Sequence, residues 1–127
     1  MKKQIMAVTL TAAMLAGLAA VPVWADDAGS DEGKVLNIYC WNEEFKTRLT
    51  DHYPGYEEVD GTHGKIGDVD VVWNITPSDD NAYQNNLDET LLKQADAAAD
   101  DKIDLFLVEA DYALKYVNTD YTMSVAD

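Results

Sequence analysis

The sequence predicts an α/β fold with a mostly parallel sheet that lies between layers of helices. Residues 35–41 and 103–108 form two short, nearly continuous apolar runs, which are typical of strands buried on both faces. Residues 69–75 alternate apolar and polar side chains and predict a strand covered on one side, near a sheet edge. Stretches with helical spacing separate these strands. The chain is therefore predicted as three-layer βαβαβα with right-handed crossovers.

The first 25 residues have the pattern of a secretory signal peptide. Lys2 and Lys3 precede an apolar run over residues 5–20, and small residues around Ala25 suit a cleavage site. The alternative is a membrane anchor, but the run is shorter than the ~20 apolar residues that a spanning helix needs. No cysteine directly follows the run, so lipid attachment is not expected. We expect an exported protein, periplasmic or extracellular, that begins at Asp26.

The remaining chain is predicted to contain one strongly acidic domain. Residues 26–33 read as a disordered acidic leader, and residues 34–127 as the α/β domain. Removing residues 1–25, which hold two lysines and no acidic residue, changes the net charge from −15 to −17. Such a charge argues against nucleic acid or anionic membranes as partners. Cys40 is the only cysteine, so no internal disulfide forms, and a buried, inert thiol is expected.

Three segments are predicted as helices. Residues 42–53 carry an apolar residue every fourth position, with Asn42 as the N-cap and Pro54-Gly55 as the end. A longer helix is predicted from Ser78 to about residue 98, and a short one from Glu109. The predicted buried faces are Phe45, Leu49 and Tyr53 in the first helix; Tyr83, Leu87, Leu91, Leu92, Ala95 and Ala98 in the second; and Ala110, Ala113, Leu114 and Val117 in the third. Tyr83 and Tyr112 are interpreted as helix-packing residues.

The segment between the first helix and the alternating strand is predicted mainly as loop. It is polar and contains the turn signals Asp60-Gly61 and His63-Gly64, although residues 56–59 suit a short strand. His63 has no second histidine or cysteine at a ligand spacing, so no metal site is expected. The chain also lacks phosphate-binding glycine loops and a nucleophile elbow. We therefore expect no cofactor and no enzymatic activity.

Polar side chains follow both predicted buried strands at the point where each strand ends. Trp41, Asn42 and Glu43 follow the first strand, and Glu109 and Asp111 follow the last. If the strands are neighbours, these two turns lie side by side, where open α/β sheets hold their ligands. Carboxylates and an amide can hydrogen-bond hydroxyls, and an aromatic face can stack on a sugar ring. These five residues form the predicted substrate site.

Each of these residues also has a simpler explanation. Trp41 is equally suited to the core at the end of a strand. Glu43, Glu44 and Glu109 are equally suited to the first turn of a helix, where a carboxylate interacts favourably with the helix dipole.

At these residues the chain resembles a protein family. The segments KVLNIYCWNEEF, DVDVVWNITPSDDNAYQNNLDETLLKQ and DKIDLFLVEADYALKYVNTDYT, behind a signal peptide, resemble the N-terminal portion of extracellular solute-binding proteins of bacterial ABC transporters. The type is the sugar-binding one, related to maltose-binding proteins. The resemblance covers residues 34–124, and its most specific piece is the strand and helix containing EADYALKY.

The resemblance implies a fold, a function and partners. The fold is a type II periplasmic-binding-protein-like clamshell of two α/β lobes, of which this chain is expected to be part of the first. The function is non-covalent capture of a solute, expected to be a carbohydrate, for delivery to a membrane permease, by a monomer that catalyses nothing. First-lobe contacts of the family correspond here to Trp41, Asn42 and Glu43, and to Glu109 and Asp111.

Two other functions stay open at this point. The first is a secreted acidic interaction module that binds a basic partner and no small ligand. The second is a hydrolase that uses Glu43 or Asp111, although no motif fixes a pair of catalytic carboxylates.

Overall fold

The computed structural model describes residues 33–125, which form a five-stranded sheet with one α-helix on each face. The predicted signal peptide and all of the predicted leader except Gly33 lie outside the described residues. The strands are β1 (Val35–Cys40), β2 (Tyr56–Glu58), β3 (His63–Ile66), β4 (Val69–Ile75) and β5 (Leu105–Phe106). The helices are α1 (Glu44–His52) and α2 (Ala82–Leu91), with 3-10 turns at Asp79–Asn81, Gln94–Asp96, Ala99–Asp101 and Ala113–Lys115.

The sheet is mixed, with the strand order β2-β3-β4-β1-β5. β1 pairs in parallel with β4 along its whole length and with β5 at Ile38–Leu105 and Tyr39–Phe106. β2 and β3 form a hairpin, and β3 runs antiparallel to β4. The predicted α/β character is confirmed, whereas the sheet is parallel only in its β4-β1-β5 half.

The two faces of the sheet carry separate hydrophobic clusters. On one face, Ile38, Cys40, Val71 and Trp73 are buried beneath Phe45 and Leu49 of α1. On the other face, the buried side of α2 packs with Ile103 and Tyr116 against Tyr39 and Phe106. The predicted buried thiol is confirmed, and burial raises the pKa of Cys40. The helices therefore cover opposite faces, as in a sheet wound in both directions.

The predictions for the segment between α1 and β4 were partly wrong. Residues 63–66 form β3, so His63 lies in a strand and β4 lies inside the sheet, away from the edge. Glycine at position 64 allows this strand to pair, because the Tyr56 ring occupies the space that a Cβ on residue 64 would need. The predicted turn at Asp60 is confirmed, since its carboxylate accepts the Thr62 and His63 N–H groups at 2.8 and 2.9 Å.

The predicted long helix is shorter than expected at both ends. α2 begins at Ala82, because Asp80 and Asn81 adopt left-handed backbone angles with φ of 51° and 61°, and Ser78 makes no side-chain cap. It ends at Leu91, and Leu92 is 74% exposed, outside the buried face. Ala95 and Ala98 are exposed as well. The predicted buried residues Tyr83, Leu87 and Leu91 are confirmed.

The predicted last strand and helix were also too long. Pairing in β5 covers two residues, and Leu105 is 39% exposed because β5 is an edge strand. A 3-10 turn at Ala113–Lys115 takes the place of the helix, and Leu114 is exposed. Tyr112 and Tyr116 pack against the core instead, as their larger rings bury more apolar area than Leu114 could.

Candidate functional site

The strand order reverses direction at β1, which creates a crevice at its carboxyl end. From β1 the chain passes through α1 and the β2-β3 hairpin to β4 on one side, and from β4 through α2 to β5 on the other. The two helices cover opposite faces of the sheet. In open α/β sheets the ligand lies outside the carboxyl ends of the strands at such a switch point. We call this region, formed by residues 41–45 and 107–111, the crevice.

The two predicted turns come together as the sequence suggested. β5 is the direct neighbour of β1, and the Leu107 N–H donates to the Tyr39 carbonyl oxygen at 3.0 Å, just past the paired residues. A shallow cavity of about 180 Å³ opens beside this contact. It is lined by Trp41, Asn42, Glu44, Phe45, Arg48 and Leu107. The predicted adjacency of the two strand ends is thus confirmed.

Trp41 packs against the core and also lines the cavity. Its ring meets the Tyr83 ring edge-on at 5.5 Å between centroids and packs beside the α2 cluster. The same residue lines the cavity and is only partly buried. It is therefore held on one side by the core and accessible on the other, which suits an aromatic wall.

Asn42 and Glu43 form the entry to α1. The Asn42 Oδ1 atom accepts the Glu44 N–H at 3.0 Å, so the predicted capping residue is used, although Glu43 occupies the N-cap position. Asn42 lines the cavity, whereas Glu43 is exposed and does not. The Asn42 side chain therefore both orders the turn and faces the site.

The sequence prediction missed Arg48 as a residue of the site. Its Nε and Nη2 atoms donate to the Glu44 Oε1 atom at 3.2 and 2.7 Å, and both side chains line the cavity. The spacing of four residues between Glu44 and Arg48 was a usable signal, since it places both side chains on one side of a helix. The pair adds hydrogen-bond donors to a site that was predicted to contain mainly acceptors.

Glu109 and Asp111 belong to the second turn of the crevice but do not line its cavity. Both are exposed in the turn after β5, where the Glu109 carbonyl oxygen accepts the Tyr112 N–H at 3.2 Å. Burial raises the pKa of the Tyr112 phenol, and the negative charges of Glu109 and Asp111 raise it further. Both carboxylates therefore lie close enough to Tyr112 to act on its phenol, and neither lines the cavity beside Trp41.

A larger cavity, of about 470 Å³, lies at the opposite end of β1. It is lined by Val35, Val59, Asp60, His63, Gly64, Lys65, Asp70, Val71 and Val72. Its polar side chains satisfy one another, with Asp60 and His63 2.9 Å apart and Lys65 and Asp70 2.7 Å apart. Hydrogen bonds from Thr62 and His63 lower the pKa of Asp60 to about 2. This cavity lies at the amino end of β1, whereas open α/β sheets hold their ligands outside the carboxyl ends of the strands.

Residues 33–125 contain neither a candidate metal site nor a candidate membrane span. No group of three or more histidine, cysteine or acidic side chains in this part of the chain is arranged to hold a metal ion. No helix in the same residues has the length and apolar character needed to cross a membrane.

Comparison with known proteins found no family model, no curated protein and no solved structure that matches the chain.

Proposed function

We propose that the chain is the substrate-binding component of an ABC importer and binds a carbohydrate without catalysis. The observation that carries the proposal is the reversal of strand order at β1, with Trp41 and Asn42 at its carboxyl end. Capture in such a crevice needs no reactive group, and the chain supplies none of the motifs of a hydrolase or a nucleotide-binding enzyme.

The side chains of the crevice suit a neutral, hydroxyl-rich solute. The accessible side of Trp41 can stack on the C–H face of a sugar ring, and the Asn42 amide both donates and accepts hydrogen bonds. The Glu44–Arg48 pair offers an acceptor and a donor whose charges are already balanced. A sugar hydroxyl can bond to both groups without burying an unpaired charge.

The wider biological role follows the family resemblance. Residues 1–25 would direct export, and residues 34–127 would form part of the first of two lobes. A second lobe would close over the crevice, and a permease would receive the solute from a monomeric binding protein. This lobe would contribute Trp41 and Asn42 on one side of the cleft, with Glu43, Glu109 and Asp111 at its rim.

A thermal-shift screen against a panel of sugars tests the proposal. A sugar present at ~100 times its dissociation constant should stabilise the chain by about 2.7 kcal/mol. Trp41→Ala should abolish the shift. Lys65→Ala, in the larger cavity, is the matched control and should keep it.

Three results would contradict the carbohydrate proposal. One is the absence of a shift with every sugar, and another is a shift only with amino acids or peptides. The third is loss of the shift in Lys65→Ala but not in Trp41→Ala. Salt-sensitive capture of a basic protein, without any sugar response, would instead support an interaction module.

A further inference from the structure

Tyr83 of α2 reaches the ends of both strands that form the crevice. Its side chain is 1% exposed, and its hydroxyl oxygen lies 3.0 Å from the Tyr39 carbonyl oxygen and 2.7 Å from that of Leu107. Burial raises the pKa of this phenol far above its usual value, so the hydroxyl keeps its proton and acts as a donor. A single O–H group is therefore shared between two main-chain acceptors on neighbouring strands.

The Tyr83 hydroxyl lies at the point where the pairing between β1 and β5 ends. Pairing between β1 and β5 stops at Tyr39 and Phe106, and only the Leu107 N–H continues it. The Leu107 carbonyl lies beyond the last pair, and Leu107 is also one of the residues that line the cavity. The Tyr83 hydroxyl therefore adds a second link between the same two strand ends, beside their last main-chain hydrogen bond.

The Tyr83 ring also contacts Trp41, which lines the cavity of the crevice. It meets Trp41 edge-on, with an angle of 72° between the ring planes. Trp41 thus has a fixed, buried partner on the side that faces the core. A phenylalanine in this position would fill the same space, so packing alone does not explain the hydroxyl.

We propose that Tyr83 is a positioning residue of the crevice, whose hydroxyl fixes the ends of β1 and β5 and whose ring orients Trp41. Its effect on solute affinity rests on the proposed function, whereas its effect on the strand ends does not. The inference can therefore be tested without a ligand.

The test compares Tyr83→Phe with Tyr116→Phe. Tyr116 belongs to the same buried cluster, and its hydroxyl donates to the Asp88 Oδ1 atom at 2.8 Å, away from the strand ends. Both variants keep the ring and remove one hydroxyl donor, which is shared between two carbonyl oxygens in Tyr83 and donates to one carboxylate in Tyr116. Global destabilisation should be similar, which separates positioning from general stability.

The readout is native-state exchange of the Leu107 amide hydrogen, together with the NMR signal of the Trp41 indole N–H. Tyr83→Phe should speed Leu107 exchange about fivefold to tenfold, the factor expected for one lost hydrogen bond. It should also shift the Trp41 signal. Tyr116→Phe should leave the Leu107 exchange rate within about twofold of the unsubstituted chain and the Trp41 signal at its original position. Equal effects of the two variants, or unchanged Leu107 exchange in Tyr83→Phe, would overturn the inference.

A measurement on the unsubstituted chain serves as a second check. The Tyr83 hydroxyl proton should exchange slowly enough to give an NMR signal, whereas the exposed Tyr53 should give none. Fast exchange of the Tyr83 proton would contradict the proposed hydrogen bond.

A sugar identified by the screen then extends the test to affinity, where Tyr83→Phe should raise Kd about fivefold or more and Tyr116→Phe should not. If Tyr83→Phe loosens Leu107 while no sugar binds any variant, the positioning inference stands and the carbohydrate proposal fails.

Discussion

The two strand ends that border the crevice have similar sequences but different structures. Residues 35–41 and 103–108 are both nearly continuous apolar runs, and acidic residues follow within two positions of each. β1 forms six residues of strand and leads into the regular helix α1, whereas β5 forms two residues and leads into a loose turn. The apolar run with a neighbouring strand on each side forms the long strand, and the run at the edge of the sheet forms the short one.

The paired positions Ile38 and Leu105 show this difference most simply. They lie opposite each other in the register, yet Ile38 is 1% exposed and Leu105 is 39% exposed. β1 has β4 on its other side, while β5 lies at the edge of the sheet. The β1 side of the crevice is therefore expected to be rigid, and the β5 side depends on contacts from α2.

The largest expected effect comes from truncating these two residues in turn. Ile38→Ala should reduce the free energy of unfolding by about 3 kcal/mol, because it leaves a cavity in a fully packed cluster. Leu105→Ala should cost below about 1 kcal/mol, because its side chain already contacts solvent. Urea unfolding of both variants measures the difference. Equal losses of unfolding free energy would contradict the difference between the central strand β1 and the edge strand β5.

The next effect concerns the turns after the strands. Asn42→Ala should destabilise the chain by about 1 kcal/mol, since the first turn of α1 loses its side-chain acceptor. Asp111→Ala should stay within about 0.5 kcal/mol, as expected for an exposed residue. Thermal unfolding followed by circular dichroism measures both, and Asn42→Asp, which keeps an acceptor, is the control. A larger loss in Asp111→Ala than in Asn42→Ala would contradict an ordered first turn and a loose second one.

A smaller effect with a defined pH dependence involves the amino ends of β1 and β5. The Asp104 Oδ2 atom accepts the Asn37 N–H at 2.7 Å. Burial raises the pKa of Asp104 above its ordinary value of 3.8, and the charge of Asp100 adds to this, while the bond from Asn37 opposes it. A raised carboxyl pKa means that the folded chain favours the protonated form. The stability from this preference is full below pH 3.8 and is lost as the pH rises through the folded pKa.

Asp104→Asn should therefore stabilise the chain at pH 7, because asparagine keeps an acceptor and carries no charge. Solvent screening at this exposed residue limits the gain to about 0.5 kcal/mol. The gain should disappear at pH 3. Denaturant unfolding at the two pH values measures it, with the exposed Asp101→Asn as control. Destabilisation at pH 7 would show that the carboxylate charge itself helps to join the strands.

The smallest effect is expected for the ion pair at the crevice. Arg48→Gln should cost about 0.3 kcal/mol at low salt, because Glu44 and Arg48 are exposed and four residues apart on α1. The cost should shrink in high salt. Unfolding at two salt concentrations measures it, and a loss above about 1 kcal/mol would indicate that the pair stabilises the fold instead of facing a solute.

The sequence predicted the parts of the fold that local patterns determine. β1, α1 and the buried side of α2 follow from apolar runs and helical spacing. β3 was missed because His63 and Lys65 are polar, and its position depends on the fit of Tyr56 over Gly64, a contact between two paired strands. The length of β5 was overestimated because periodicity does not distinguish an edge strand from a central one.

The residues of the candidate site could likewise be predicted only in part. Trp41 and Asn42 could be predicted, since they directly follow a well-defined strand. Glu109 and Asp111 could not be placed, because their orientation depends on a turn fixed by Tyr112 and Tyr116 packing.

The most direct test of the crevice is NMR mapping of a bound sugar on the isotopically labelled chain. The sugar with the largest thermal shift would be titrated while the backbone amide signals are followed. Saturable shifts are expected at residues 41–45 and 107–108, with residues 63–72 unchanged. Shifts concentrated at residues 59–72, or no shift with any sugar of the panel, would contradict sugar binding in the crevice.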